Sequence, residues 1–209
     1  ELGPDDKGTL AAYSHYLMIV GRRDEAMGQI ERAVELDPVS PPTAFYAINL
    51  LCAHRYDDSI VQARRKLRLD PHNLVALTAL FWALHESGKH DEAIKAAIRY
   101  YACWLPDAPD VREALERGYA EEGYAGAWRR AADVEVSRHA EEPGIAFDAA
   151  CCYMFAGDMA RALDWLEKAI AQRDPNAPYA NCLPLWDPVH SDPRFQDLLR
   201  KMNLPTGKK

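Results

Sequence analysis

One local pattern recurs along this chain at nearly constant intervals, and a chain that repeats itself in this way is confined to repeat architectures. Gly21-Arg22-Arg23-Asp24-Glu25-Ala26 returns as Gly88-Lys89-His90-Asp91-Glu92-Ala93 and as Gly157-Asp158-Met159-Ala160-Arg161-Ala162. His54-Arg55-Tyr56-Asp57-Asp58-Ser59 fills the same slot between the first two, and Gly123-Tyr124-Ala125-Gly126-Ala127 fills it between the last two. The turn positions 21, 54, 88, 123 and 157 are spaced by 33, 34, 35 and 34 residues. A second mark runs in phase with the first. Leu36-Asp37-Pro38, Leu69-Asp70-Pro71, Leu105-Pro106 and Asp174-Pro175 each close a segment. Proline has no amide donor and disfavours helix in the residue before it, so it ends a helix. Between the marks the apolar residues keep helical spacing: Ala26, Ile30, Ala33, Val34, then Ala93, Ala97, Tyr100, Tyr101, then Ala162, Leu166, Ala169, Ile170. Each unit reads as a helix, a short turn and a second helix.

The 209 residues, 48% hydrophobic, are enough to bury a core. The richest apolar stretch, Ala11 to Val20, is interrupted by Ser14 and His15 and stops at Gly21-Arg22-Arg23, short of the roughly 18 residues a membrane span needs. It has neither the cationic lead nor the cleavage site of a secretory signal. The net charge of −7 and the lack of a recognisable basic face in the sequence argue against sequence-independent nucleic-acid binding. Five cysteines, Cys52, Cys103, Cys151, Cys152 and Cys182, are an odd number without a C-x-x-C pair. They read as small apolar side chains of a reduced, cytoplasmic compartment. The chain begins at Glu1 rather than Met, and it reads as a piece of something longer.

On these residues the chain resembles a tetratricopeptide repeat array, whose unit of 34 residues places glycine at the turn, alanine early in the second helix and proline at the end. The resemblance spans residues 9–178, in units of about 9–38, 40–71, 73–106, 107–143 and 144–175, behind a leader of residues 1–8. It implies an all-α, right-handed superhelical solenoid. Unit two departs at His54 and Ser59. Unit four departs further, with Trp128 in place of alanine and a long second helix ending Glu135-Val136-Ser137-Arg138-His139, which puts its packing angle in question. The tail, residues 179–209, is too proline-broken for a helix around Asn181 to Pro188. At Ser191-Asp192-Pro193 it reads as the start of a helix over 192–202, whose apolar stripe of Phe195, Leu198, Leu199 and Met202 would cap the last repeat. This ending is similar to the final segment of bacterial proteins in which such repeats follow a cyclase, kinase or DNA-binding module.

No motif for nucleotide, dinucleotide or hydrolase chemistry is present, and His85 and His90 stand five apart rather than at H-E-x-x-H spacing. The sequence therefore predicts no catalytic residue, no metal and no cofactor. What the resemblance implies is a concave groove lined by first helices, with a row of His15, Ile48, Trp82, Arg117 and Cys151. One turn away lie Met18, Thr78, His85, Glu86, Glu113, Phe147 and Met154. Each has a plainer alternative: Trp82 as core, Arg117 as the ion-pair partner of Glu113, His15 as a satisfied histidine between helices. The Lys-and-Asn clamp of chaperone-type arrays is missing, its slots being Ala11, His15 and Ile48. The leading expectation is a non-enzymatic module that binds a protein or peptide segment and serves as the C-terminal regulatory region of a bacterial signalling protein. A self-association scaffold forming a homodimer, and a small-ligand sensor or degenerate enzyme around His85, Trp82 and Arg117, are the alternatives.

Overall fold

A computed structural model describes residues 6–37, 42–107, 109–138 and 144–206. Among them all regular structure is helical and there is no strand. The first five residues of the leader, Pro38, His139 and Pro143 lie outside the described residues. The chain divides into two compact units, Glu1–Cys103 and Trp104–Lys209, and each is built around its own helices.

The first unit contains α1 (Lys7–Ile19), α2 (Arg23–Leu36), α3 (Thr43–Cys52), α4 (Tyr56–Leu69), α5 (Leu74–Glu86) and α6 (His90–Trp104). Helix α1 packs on α2, α3 packs on α4, and α5 packs on both members of the pair before it. The reversals are made by one device. Gly21, His54 and Gly88 take φ of 81°, 60° and 69°, the left-handed region. At Gly88 its own N–H donates to the His85 carbonyl at 2.8 Å and the Lys89 N–H to the Leu84 carbonyl at 2.9 Å. The same two bonds recur at Gly21 and at His54, satisfying carbonyls that a helix end leaves open. Close approach of the helices depends on small side chains: Ala26, Ala33, Ala47, Ala63, Ala76 and Ala93 have no exposed surface. Ser59 keeps that size in the alanine slot of α4, and its hydroxyl, buried, donates to the Ala47 carbonyl at 2.8 Å. The departures of the second segment are thereby absorbed.

The second unit begins with α7 (Pro109–Arg138), which is broken at Gly123. Its φ of 75° with ψ of −166° belongs to a region that glycine alone occupies readily. The two arms of α7 meet backbone to backbone. A Cβ on Gly118 would lie 2.7 Å from the Ala127 Cα and 2.9 Å from the Gly126 oxygen. Trp128, where the pattern expects alanine, is wholly buried and stacks on Phe155 with ring centres 4.4 Å apart. Here the small residue has moved to the first arm and the large one to the second. Helix α8 (Ile145–Phe155) follows, and every residue in it except Asp148 is buried. It is held by α7, by α9 (Met159–Ala171) and by the tail. Gly157 makes the α8–α9 turn with φ of 76° and the same pair of bonds seen in the first unit. Asp174, 8% exposed, returns a carboxylate oxygen to the Phe147 N–H at 3.3 Å and so caps the start of α8 from a distant part of the chain.

The tail makes 3-10 turns at Ala177–Asn181 and Pro184–Val189 and then α10 (Pro193–Lys201). Asp192 is the N-cap of α10, its side chain accepting the Arg194 N–H at 2.8 Å. Phe195, Leu198 and Leu199 are buried, and α10 packs against α9. No helix among the described residues is long and apolar enough to cross a membrane.

Candidate functional site

The expected groove residues fall into three groups. On α5, Thr78, His85 and Glu86 are half-buried, and Leu74 and Val75 at the start of the helix are exposed. At 100° per residue these five positions and Trp82 lie within about 120° of the helix circumference, so they form one stripe. Trp82 is the floor of that stripe, 5% exposed, with its ring edge-on to Phe81 at 5.9 Å. Only its rim is available. At the far end the His85 ring stacks on that of His90, with centres 6.1 Å apart and planes 18° apart. Burial, reinforced by the nearby His90, holds the His85 imidazole down to about 4. His85 is therefore neutral at pH 7, an acceptor and donor of hydrogen bonds rather than a cation.

His15, Met18 and Ile48 are placed differently. His15 is a bridging residue: its Nδ1 lies 3.4 Å from the Asn49 Oδ1, and its ring meets Phe45 edge-on at 5.5 Å. Asn49, fully buried, donates through Nδ2 to the Ser14 hydroxyl at 2.8 Å, and Ser14 donates to the Ala11 carbonyl at 2.7 Å. This polar seam joins α1 to α3, and burial lowers the His15 pKa while the Asn49 bond opposes that. Met18 has no exposed surface and Ile48 is 5% exposed, so both side chains are core in this conformation. Nothing in the sequence marks Asn49 as the partner of Ser14; a lone asparagine in an apolar helix is the faint signal.

In the second unit, Phe147, Cys151 and Met154 are buried. The Pro184–Val189 turn covers them in part. Trp186, wholly buried, stacks on Phe147 at 6.3 Å and on Phe195 at 5.7 Å, and its indole lies near the Cys151 thiol. At α8, the surface that the resemblance assigns to a ligand is covered in part by the chain's own tail. Burial first, then the charges of Asp148, Glu135 and Asp174, push the Cys151 thiol well up from its ordinary value, which keeps it protonated and poorly nucleophilic. Glu113 and Arg117 are exposed on α7 and pair with each other at 2.6 Å.

Two further clusters come from helices brought together by the fold. Glu135, fully buried on α7, faces Asp148 and Cys152, which are four residues apart on α8, and one ligand atom of each lies within 4.8 Å of the others. Two carboxyls and a thiol at that separation are a donor set suited to a divalent cation. The i, i+4 spacing of Asp148 and Cys152 was legible, but Glu135 comes from another helix. The second cluster corrects the expectation that no basic face exists. Arg64 and Arg68 on α4, with Lys95 and Arg99 on α6, line one open cleft of about 430 Å³ in the first unit. Each pair is spaced i, i+4, so each occupies one face of its helix. Arg64-Arg65-Lys66-Leu67-Arg68 is a basic run in the sequence, but Lys95 and Arg99 come from another helix, and only the fold sets the two pairs on one cleft. Compared with protein-family models and with curated proteins, the chain matches none.

Proposed function

We propose that this chain is a non-enzymatic interaction module. It is a right-handed array of five tetratricopeptide-like hairpins that engages a protein or peptide segment through the exposed stripe of α5. The observation that carries the reading is the recurrence of left-handed residues at positions 21, 54, 88, 123 and 157, the five in-phase turn positions of the sequence. A scaffold of like hairpins offers surface rather than a reactive centre. The stripe of α5 joins two exposed aliphatic side chains to a hydroxyl, a neutral imidazole and a carboxylate, a mixture suited to a segment with apolar anchors and a few polar groups. A regulatory role beside a bacterial signalling domain is part of the same proposal and rests on the resemblance of the tail.

The test is capture of partners by the wild-type chain and by the double variant Thr78→Arg, Glu86→Lys, with circular dichroism to check that both fold alike. Both side chains are partly exposed, so the changes alter the face and leave the core intact. Loss of a specific partner in the variant supports the reading. An unchanged set of partners contradicts it.

A further inference from the structure

On the opposite side of α5 from that stripe, Leu80 forms part of the floor of the cleft between α4 and α6, together with Leu67 and Ala96. The rim is cationic: Arg64 and Arg68 on one wall, Lys95 and Arg99 on the other. The one lining carboxylate, Glu92, is already paired with Arg64 at 2.5 Å. Arg99 donates only weakly, to the Pro71 carbonyl at 3.3 Å. Arg68 and Lys95 form no ion pair among the described residues. By contrast, Arg22, Arg55, Arg130, Arg161 and Arg194 each sit on a carboxylate within 2.7 Å. In a chain of net charge −7, an unneutralised positive cleft is a local inversion of sign.

From this charge complementarity we infer that the cleft between α4 and α6 is a second docking site, for a short acidic peptide segment. Two or three Asp or Glu side chains of the segment meet Arg68, Lys95 and Arg99, and a small apolar side chain rests on the Leu67–Leu80 floor. Guanidinium forks match carboxylates two bonds at a time, and an apolar floor strengthens such pairs by excluding water from one side. The observations favour a peptide over a nucleic acid. The lining contains no aromatic side chain on which a base could stack, and the positive surface is a cleft rather than a track.

The probe is a fluorescein-labelled hexapeptide, Glu-Leu-Glu-Glu-Leu-Glu, titrated with the full chain and read by fluorescence anisotropy. Its Gln-for-Glu counterpart and a single-stranded DNA 12-mer serve as comparisons. Saturable binding of the acidic peptide, at least tenfold tighter than of the Gln peptide and weakened by added salt, is the expected result. Arg68→Glu and Lys95→Glu each weaken it fivefold or more. Arg65→Glu, the same charge change on an exposed α4 residue outside the cleft, changes it less than twofold. These exposed positions lie outside the core, and circular dichroism confirms that each variant folds. No saturation, equal loss in Arg65→Glu, or tighter binding of the DNA overturns the inference.

Discussion

His85 gives the structure a measurable acid sensitivity. Its ordinary value is 6.5, and in the folded chain it is lowered to about 4, first by burial and then by the neighbouring His90. A position in the last turn of α5 favours a cation by up to about 2 kcal/mol, and burial outweighs it. The fold prefers the neutral imidazole. The resulting stabilisation is complete above pH 6.5, declines as pH falls, and is spent near pH 4, because the unfolded chain takes up the proton first. At about 1.4 kcal/mol per pKa unit, the gap corresponds to about 3 kcal/mol over the whole window and about 2 kcal/mol by pH 5. The perturbation is His85→Gln, which keeps a polar planar group and removes the titration. Urea unfolding followed by circular dichroism at pH 7, 6, 5 and 4 gives the stability of both chains. Every other titrating group is common to the two, so the difference reports His85 together with its interaction with His90. The wild type should lose about 2 kcal/mol more than the variant between pH 7 and pH 5. Parallel curves would refute the reasoning.

Four other substitutions test the packing. Gly123→Ala forces a Cβ into a backbone region that glycine alone occupies readily and should cost about 1–3 kcal/mol in urea unfolding. Gly118→Ala should cost about 1–3 kcal/mol because its Cβ meets the Ala127 backbone, whereas Gly28→Ala, with open space around it inside α2, should stabilise by about 0.5–1 kcal/mol. The same unfolding assay should therefore give opposite signs for the two. Trp186→Ala removes a wholly buried ring and should cost about 3–5 kcal/mol. It should also uncover Cys151 to a thiol reagent that reacts slowly in the wild type, as measured by the labelling rate of that peptide.

The helical hairpins were readable because each depends on local chemistry. Gly21, Gly88 and Gly157 mark left-handed turns directly, and the period locates His54 in the same conformation, which its side chain alone would not announce. The tail helix was legible for the same reason, through Asp192, Pro193 and the Phe195–Leu198–Leu199 stripe. The site was less legible. Helical spacing identifies the face of α8 that carries Phe147 and Cys151, yet it cannot say that Trp186, over thirty residues on, closes that face. Met18 and Ile48 share helical faces with partly exposed residues, and their burial depends on neighbours far away in sequence. The basic cleft escaped because a charge summed along the chain hides two i, i+4 pairs that only the packing of α4 near α6 brings together.

The most direct measurement of the proposed function is photo-crosslinking from α5. A photoreactive amino acid at Thr78, and at Asp197 on α10 as the comparison, is activated in cells of the organism that encodes the chain, and adducts are identified by mass spectrometry. Both positions have accessible side chains. A discrete protein adduct from Thr78 that is missing from Asp197 is what a binding face on α5 predicts. No adduct from Thr78, or the same adducts from both positions, would contradict it.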